Sequence, residues 1–206
     1  MKKIFLILTF AFSLGNIFAQ SKPDALVLYR QKNYPEAIKV CEQEIANNPR
    51  NIDSYCVLCW SLVQSGQYAA AEQRASEALK ISPSDIRLIE VLGEAKYHLQ
   101  KYKEALGMFQ TYIANAPTTS GDYSWAYYYM GEIYVQLAKY EHADIAHSMA
   151  VLLNPQKTLF WTKCGYAREK AGSYASALEA YNKALELNAS NSDAVRGKER
   201  VAARLK

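Results

Sequence analysis

The sequence predicts an all-α fold, an α-solenoid of about five helix-turn-helix pairs with a C-terminal capping helix. Tyrosine recurs at Tyr34, Tyr68, Tyr102, Tyr140 and Tyr174, at spacings of 34, 34, 38 and 34 residues. Three residues after each comes an alanine: Ala37, Ala71, Ala105, Ala143 and Ala177. Fifteen residues after the first four comes a proline, Pro49, Pro83, Pro117 and Pro155, and Ala189 takes that place in the fifth. A pattern held in register five times reads as an array of supersecondary units, none of which can bury its apolar face alone.

The first nineteen of the 206 residues read as a secretory signal peptide. Lys2 and Lys3 form a positive start, Ile4 to Leu14 is an unbroken run of apolar or small residues, and Ile17-Phe18-Ala19 ends in a small residue suited to cleavage. The run is shorter than the roughly 20 residues a spanning helix needs, which places cleavage ahead of the alternative, retention as an uncleaved anchor. The expected mature chain, 20–206, therefore has no membrane span and works in the periplasm or outside the cell.

Each following unit reads as two antiparallel helices. The units fall at about 20–51, 52–85, 86–119, 124–157 and 158–191. Within them the helices are expected at 22–31 and 35–47, 53–65 and 69–81, 85–99 and 103–115, 123–137 and 141–153, and 158–171 and 175–188. Ala25, Cys59, Gly93, Gly131 and Gly165 lie nine residues before the tyrosines, where a small side chain lets paired helices approach. Ile45, Leu79, Ile113, Val151 and Leu185 hold one apolar position in the second helices. Proline ends the first four of those helices because it lacks the amide and clashes with the preceding turn. Gly66 and Gly172 suit the left-handed residue of a tight turn. Thr118 to Asp122 supplies the four residues that stretch one spacing to 38. Residues 192–205 read as a capping helix, with Val195, Val201 and Leu205 on a charged background.

This pattern resembles the tetratricopeptide repeat family. The best local matches are Tyr127-x-x-Met130-Gly131-x-x-Tyr134 and Gly172-Ser173-Tyr174-x-x-Ala177 followed by Tyr181 and Ala184. The resemblance spans about residues 20–187. It departs at Ser21 and Asp24, where large apolar residues are usual, and at Glu44 and Tyr112, where small ones are. It implies that the first helices line a concave groove that binds a peptide segment or an envelope protein. The groove positions it marks are Trp60, Arg87, Glu90, Glu94, Tyr97, Trp125, Tyr128 and Tyr166. Arg87, Glu90 and Glu94 would set register, with Glu90 and Glu94 paired to Arg87 and His98 at helical spacing. The carboxylate-gripping pattern of one branch of the family is absent: its positions in the first three units hold Lys22, Leu26, Val57, Arg87 and Val91. The alternative function is glycan or cell-wall binding, with sugar rings stacked on the groove aromatics.

Other classes of function find little support. A formal charge of +4 falls to +2 once Lys2 and Lys3 are removed, too near neutral for a nucleic-acid footprint. Cys56-Val57-Leu58-Cys59 has redox-motif spacing but sits mid-helix without a strand unit. Export would permit a disulfide, and Cys41 with Cys59 is the pair worth testing. His142 and His147 point to different helix faces, and His147 falls on the core side. No nucleophile–base pair, metal-ligand spacing or phosphate loop is visible, so no catalysis and no cofactor are expected.

Overall fold

The computed structural model describes residues 24–117 and 123–206. The expected signal peptide and the Thr118–Asp122 insertion lie outside the described residues. Among the described residues the chain forms eleven α-helices and no strand: α1 (Ala25–Arg30), α2 (Tyr34–Asn47), α3 (Ile52–Gln64), α4 (Tyr68–Ile81), α5 (Ile86–His98), α6 (Tyr102–Asn115), α7 (Tyr123–Gln136), α8 (Tyr140–Leu153), α9 (Thr158–Lys170), α10 (Tyr174–Leu187) and α11 (Ser192–Arg204). None is long and apolar enough to cross a membrane. Each helix packs on the next in sequence, and first helices also touch across units, α1 on α3, α3 on α5 and α5 on α7. The first helices thus form the crowded inner layer of an α-solenoid.

Each of the five repeated tyrosines is the first residue of a second helix. The turn before it is the same in all five units. Its left-handed residue is Lys32, Gly66, Gln100, Ala138 or Gly172, with φ between 53° and 82°. In the second unit the Gly66 amide donates to Val63 O and the Gln67 amide to Leu62 O, closing the orphan carbonyls of α3. Sequence reading located this residue only where glycine occupies it. At the opposite ends, Asn51, Asp85 and Asn191 cap α3, α5 and α11 by accepting bonds from amides in the first turn. Asp24 does the same for α1, accepting from the Leu26 and Val27 amides, which explains a polar residue where the repeat pattern favours an apolar one.

The core is built by size matching across each helix pair. Seven residues into the second helices stand Cys41, Ala75, Phe109, His147 and Tyr181, all buried. Opposite the three large rings lie Gly93, Gly131 and Gly165. A Cβ at these glycines would come within 3.1 Å of Phe109, 2.5 Å of His147 and 2.8 Å of Tyr181. Where the second helix offers only Ala75, the first helix offers Cys59 instead. The departure at Tyr112 is also accommodated. Tyr112 is buried, its ring 5.8 Å from that of Tyr123. The Tyr123 hydroxyl donates to Ile113 O (2.9 Å) and Ala116 O (2.6 Å), pinning the start of α7 to the end of α6.

All four cysteines are buried free thiols, so the Cys41–Cys59 link is not formed. Cys59 Sγ turns instead toward the Ala71 carbonyl on α4, 3.9 Å away. Burial pushes the thiols of Cys41 and Cys56 up to about 12 and that of Cys164 to about 11, and raises Cys59 further. Such groups hold too little thiolate for redox chemistry at neutral pH.

Candidate partner-binding groove

The eight groove positions separate into three neighbourhoods. Trp60, Arg87, Glu90 and Glu94 share the stretch built by α1, α3 and α5. One cavity there, about 550 Å³, is lined by Asp24, Glu44, Asp53, Trp60 and Arg87 among others. A second, about 250 Å³, is lined by Tyr29, Trp60, Val63, Gln64, Glu90 and Glu94. Trp60 belongs to both and leans on Tyr29, their ring centroids 5.9 Å apart. The Tyr29 contribution was missed from sequence because α1 departs most from the repeat pattern.

The acid–base pairing in this stretch differs from expectation. Arg87 bonds to two aspartates. Its Nη2 donates to Asp85 Oδ2 (2.7 Å), its Nε to Asp85 Oδ1 (3.1 Å) and its Nη1 to Asp53 Oδ1 of the preceding unit (2.8 Å). Asp85, two residues away at the helix cap, and Asp53, on the same face of the neighbouring helix, outcompete a partner one turn along. These bonds hold the guanidinium above its ordinary range, the Asp85 bond foremost. Glu94 accepts a 2.6 Å bond from the Tyr129 hydroxyl, and burial raises its carboxyl above the usual carboxylate range. His98 Nε2 stands 3.9 Å from Glu94, a long contact, while its ring stacks face to face on Tyr68 at 4.2 Å. Burial lowers the imidazole's pKa, so the pair carries little ionic character at neutral pH.

Tyr97, Trp125 and Tyr128 form the middle neighbourhood, where much of their surface is turned onto one another and onto the core. Tyr97 meets Tyr129 edge-on at 5.2 Å. Trp125 meets Phe160 edge-on at 5.2 Å, and Tyr128 stacks on the same ring at 5.5 Å. Lys157 Nζ lies 5.1 Å from the centre of the Trp125 ring. Burial pushes the Tyr97 phenol up to about 12 and raises Tyr128 beyond that. These rings are half-buried side chains that pin α7 to α5 and α9, and they do not make a flat stacking platform.

Beneath them lies a charged contact that the site residues inferred from sequence left out. Glu132, 7% exposed, accepts a 2.5 Å bond from Lys163 of the next unit. His147 is fully buried, with Nε2 3.3 Å from Glu132 Oε1, close enough for an ionic contact yet short of hydrogen-bond geometry. Burial opposes ionisation of Glu132, but His147 and Lys163 outweigh it and lower its pKa. Tyr166 belongs to the third neighbourhood, a cavity of about 280 Å³ lined also by Thr162, Lys163, Tyr181, Arg196 and Arg200. Both arginines there have carboxylate partners, Arg196 at Asp193 and Arg200 at Glu169. Among the described residues no three metal-ligating side chains converge.

Comparison with known proteins agrees with this architecture. Residues 30–112 match the family model described as anaphase-promoting complex, cyclosome, subunit 3, and residues 160–191 match a tetratricopeptide repeat model. A curated relative, anaphase-promoting complex subunit 3 of Schizosaccharomyces pombe (strain 972 / ATCC 24843), is 23% identical over 164 residues. That alignment takes in 79% of this chain but only 24% of the relative, so the chain spans about a quarter of its length. Among solved structures, Pseudomonas aeruginosa PilF is similar with a TM-score of 0.77 at 16% identity, covering 88% of this chain and 81% of that one. YrrB, described as a TPR protein with an unusual peptide-binding site, is similar with a TM-score of 0.68 at 21% identity, covering 80% and 83%. At these identities the likeness establishes the fold, a solenoid of tetratricopeptide-type helix pairs.

Proposed function

We propose that this chain is an exported interaction scaffold that holds a peptide segment or an envelope protein in the groove of its first helices. The observation that carries the reading is the pair of adjoining cavities along α1, α3 and α5, both walled by Trp60. Half-buried aromatic side chains in a concave surface supply large contact area at low entropy cost and become binding hot spots. The peptide-binding site named for YrrB is in keeping with such a role. Export rests on the Lys2-to-Ala19 signal pattern. Binding is preferred to catalysis because the buried thiols, the capped arginines and the packed phenols give no nucleophile poised beside a base. Glycan stacking is the weaker alternative, since Trp125 and Tyr128 are engaged with Phe160.

The test is recovery of partners from envelope extracts by the mature protein and by Trp60→Ala. The variant is expected to lose most of the recovered material while keeping its helical circular dichroism. Unchanged recovery would remove the groove from consideration. Fractionation of cells, with N-terminal sequencing of the product, checks export: the expected mature start is near Gln20.

A further inference from the structure

We infer that the outer face of α8 is a self-association surface, on which two copies of this chain pack α8 against α8 in the antiparallel sense. Among the described residues the two most exposed large apolar side chains are Ile145 (67%) and Leu152 (72%), both on this helix. With partly buried Met149 between them they run at spacings of four and three, the seam of a two-stranded helical pair. Leu153 beside them is 44% exposed. The repeat does not call for these residues. The positions of Ile145 and Leu152 hold Lys39 and Ala46 on α2, Gln73 and Lys80 on α4, Gly107 and Ala114 on α6, and Glu179 and Glu186 on α10. Met149 takes the place of Gln43, Glu77, Thr111 and Lys183. The other four second helices thus pack with a polar or small outer face, and α8 departs from them. An apolar stripe that packing within the chain does not require marks a contact with another molecule.

A second copy suits the stripe because the pattern reads alike in both directions. Met149 stands at the middle, with Ile145 four residues before it and Leu152 and Leu153 three and four after it. A two-fold axis beside Met149 sets Ile145 of each copy on Leu152 of the other, and the contact closes on itself as an isologous pair. Charge selects the antiparallel sense. Exposed Glu141 precedes the stripe and exposed Lys157 follows it. Antiparallel packing brings each of them to the opposite end of the other copy's stripe, whereas parallel packing sets Glu141 beside Glu141 and aligns the two helix dipoles. Lys157 Nζ also lies 5.1 Å from the centre of the Trp125 ring, a contact that leaves an ammonium further donors for a carboxylate. Area sets the strength. An interface of standard size takes about 800 Å² from each partner. α8 has 14 residues and is about 21 Å long, so its stripe supplies only part of that. The apolar surface continues onto exposed Leu187, which holds on α10 the place of Leu153, and into a cavity of about 300 Å³ lined by Leu187, Pro155 and Trp161 among others. The pair is therefore small and reversible. It lies on the layer of second helices and leaves the groove of the first helices open.

The experiment is analytical ultracentrifugation of the mature chain, 20–206, from about 1 µM to about 1 mM, a range that brackets a weak dimer. A monomer–dimer equilibrium with a Kd of about 10–100 µM is expected. Ile145→Glu with Leu152→Glu should weaken it at least about tenfold, while Lys39→Glu with Ala46→Glu, at the same positions on α2, should leave it unchanged. Circular dichroism and thermal melts establish that both double variants fold. Orientation is read from single added thiols, since the four native cysteines are buried. Diamide oxidation of an equal mixture of Ile145→Cys and Leu152→Cys should yield the mixed disulfide-linked pair, with little linkage of either variant to itself. A monomer over the whole range would overturn the self-association and give the stripe to a different protein. A dimer that Ile145→Glu with Leu152→Glu leaves intact, or that both double variants weaken equally, would overturn the assignment to α8. Predominant linkage of Ile145→Cys to itself would overturn the antiparallel sense.

Discussion

Gly197 illustrates how single side chains are fixed by neighbours far away in sequence. A Cβ there would lie 2.2 Å from the Tyr181 ring, the most crowded of the glycines facing a ring. An exposed mid-helix Gly→Ala change ordinarily stabilises by about 1 kcal/mol. Here the reverse is expected: Gly197→Ala should lower stability by about 1–3 kcal/mol, the cost of overpacking, as read from urea denaturation. Glu94 supplies a residue-scale test of electrostatics. Its neighbours are Glu90 and His98 on the same helix and Tyr129 from α7, and burial raises its carboxyl above 4.5. The folded state therefore holds a proton at pH values where the unfolded chain has released it. The contribution of the protonated form is fully present below the unfolded value and is lost as pH rises through the folded one. Glu94→Gln keeps an acceptor for the Tyr129 hydroxyl and removes this loss. The variant should match the native protein near pH 4 and exceed it in melting temperature near pH 7, a pH series of thermal melts being the check. None of this was legible in sequence. Glycine at 197 carries no mark of the ring that needs it, and Glu94 looks like any exposed helical glutamate until α7 is placed over it.

At the scale of the element, the helix-to-helix turns carry the clearest regularity and a built-in cost. Five turns place a residue at positive φ, and in three of them that residue is Lys32, Gln100 or Ala138. A left-handed residue with a Cβ costs roughly 1–2 kcal/mol, which glycine avoids. Ala138→Gly is accordingly expected to raise stability by about 0.5–1 kcal/mol, less than the strain because glycine also loosens the unfolded chain. Gly66→Ala should lower it by about 1 kcal/mol through φ alone, since a Cβ at Gly66 meets nothing within 4 Å. Chemical denaturation of the two variants side by side reads both signs. The second helices were legible to within a residue at each end, because the tyrosine start, the alanine three later and the stop fifteen later are local signals. The first described helix was not: Asp24 caps α1 at Ala25, so this helix begins later than the expected 22–31.

The whole molecule is a line of similar units, and its stability should follow the joints between them. Four of the five inter-unit joints, counting that to α11, are broad. The joint between α6 and α7 is the thinnest and leans on the two bonds from the Tyr123 hydroxyl. Local opening is expected to begin there. Native-state hydrogen exchange should show α6 and the start of α7 exchanging by an opening smaller than global unfolding, and Tyr123→Phe should enlarge that difference. Uniform protection across the array would contradict it. Elsewhere consecutive units are also tied by ion pairs such as Arg74 with Glu42, Lys96 with Glu72 and Arg168 with Asp144, each partly exposed and individually of modest worth.

The repeat period, the alternation of first and second helices and the closing helix were determined by the sequence alone, because propensity, capping and proline act within a few residues of where they stand. Which aromatic rings stay open and which are spent on packing was decided by tertiary structure. Trp60 walls a cavity while Trp125 meets Phe160, although both stand on first helices and read alike in the repeat. The partner of Arg87 was decided there too, since Asp53 lies one whole unit back along the chain. The physical reason is the stacking of the units: it brings side chains 34 residues apart within a few ångströms, and the allocation of each face depends on what that neighbour happens to be.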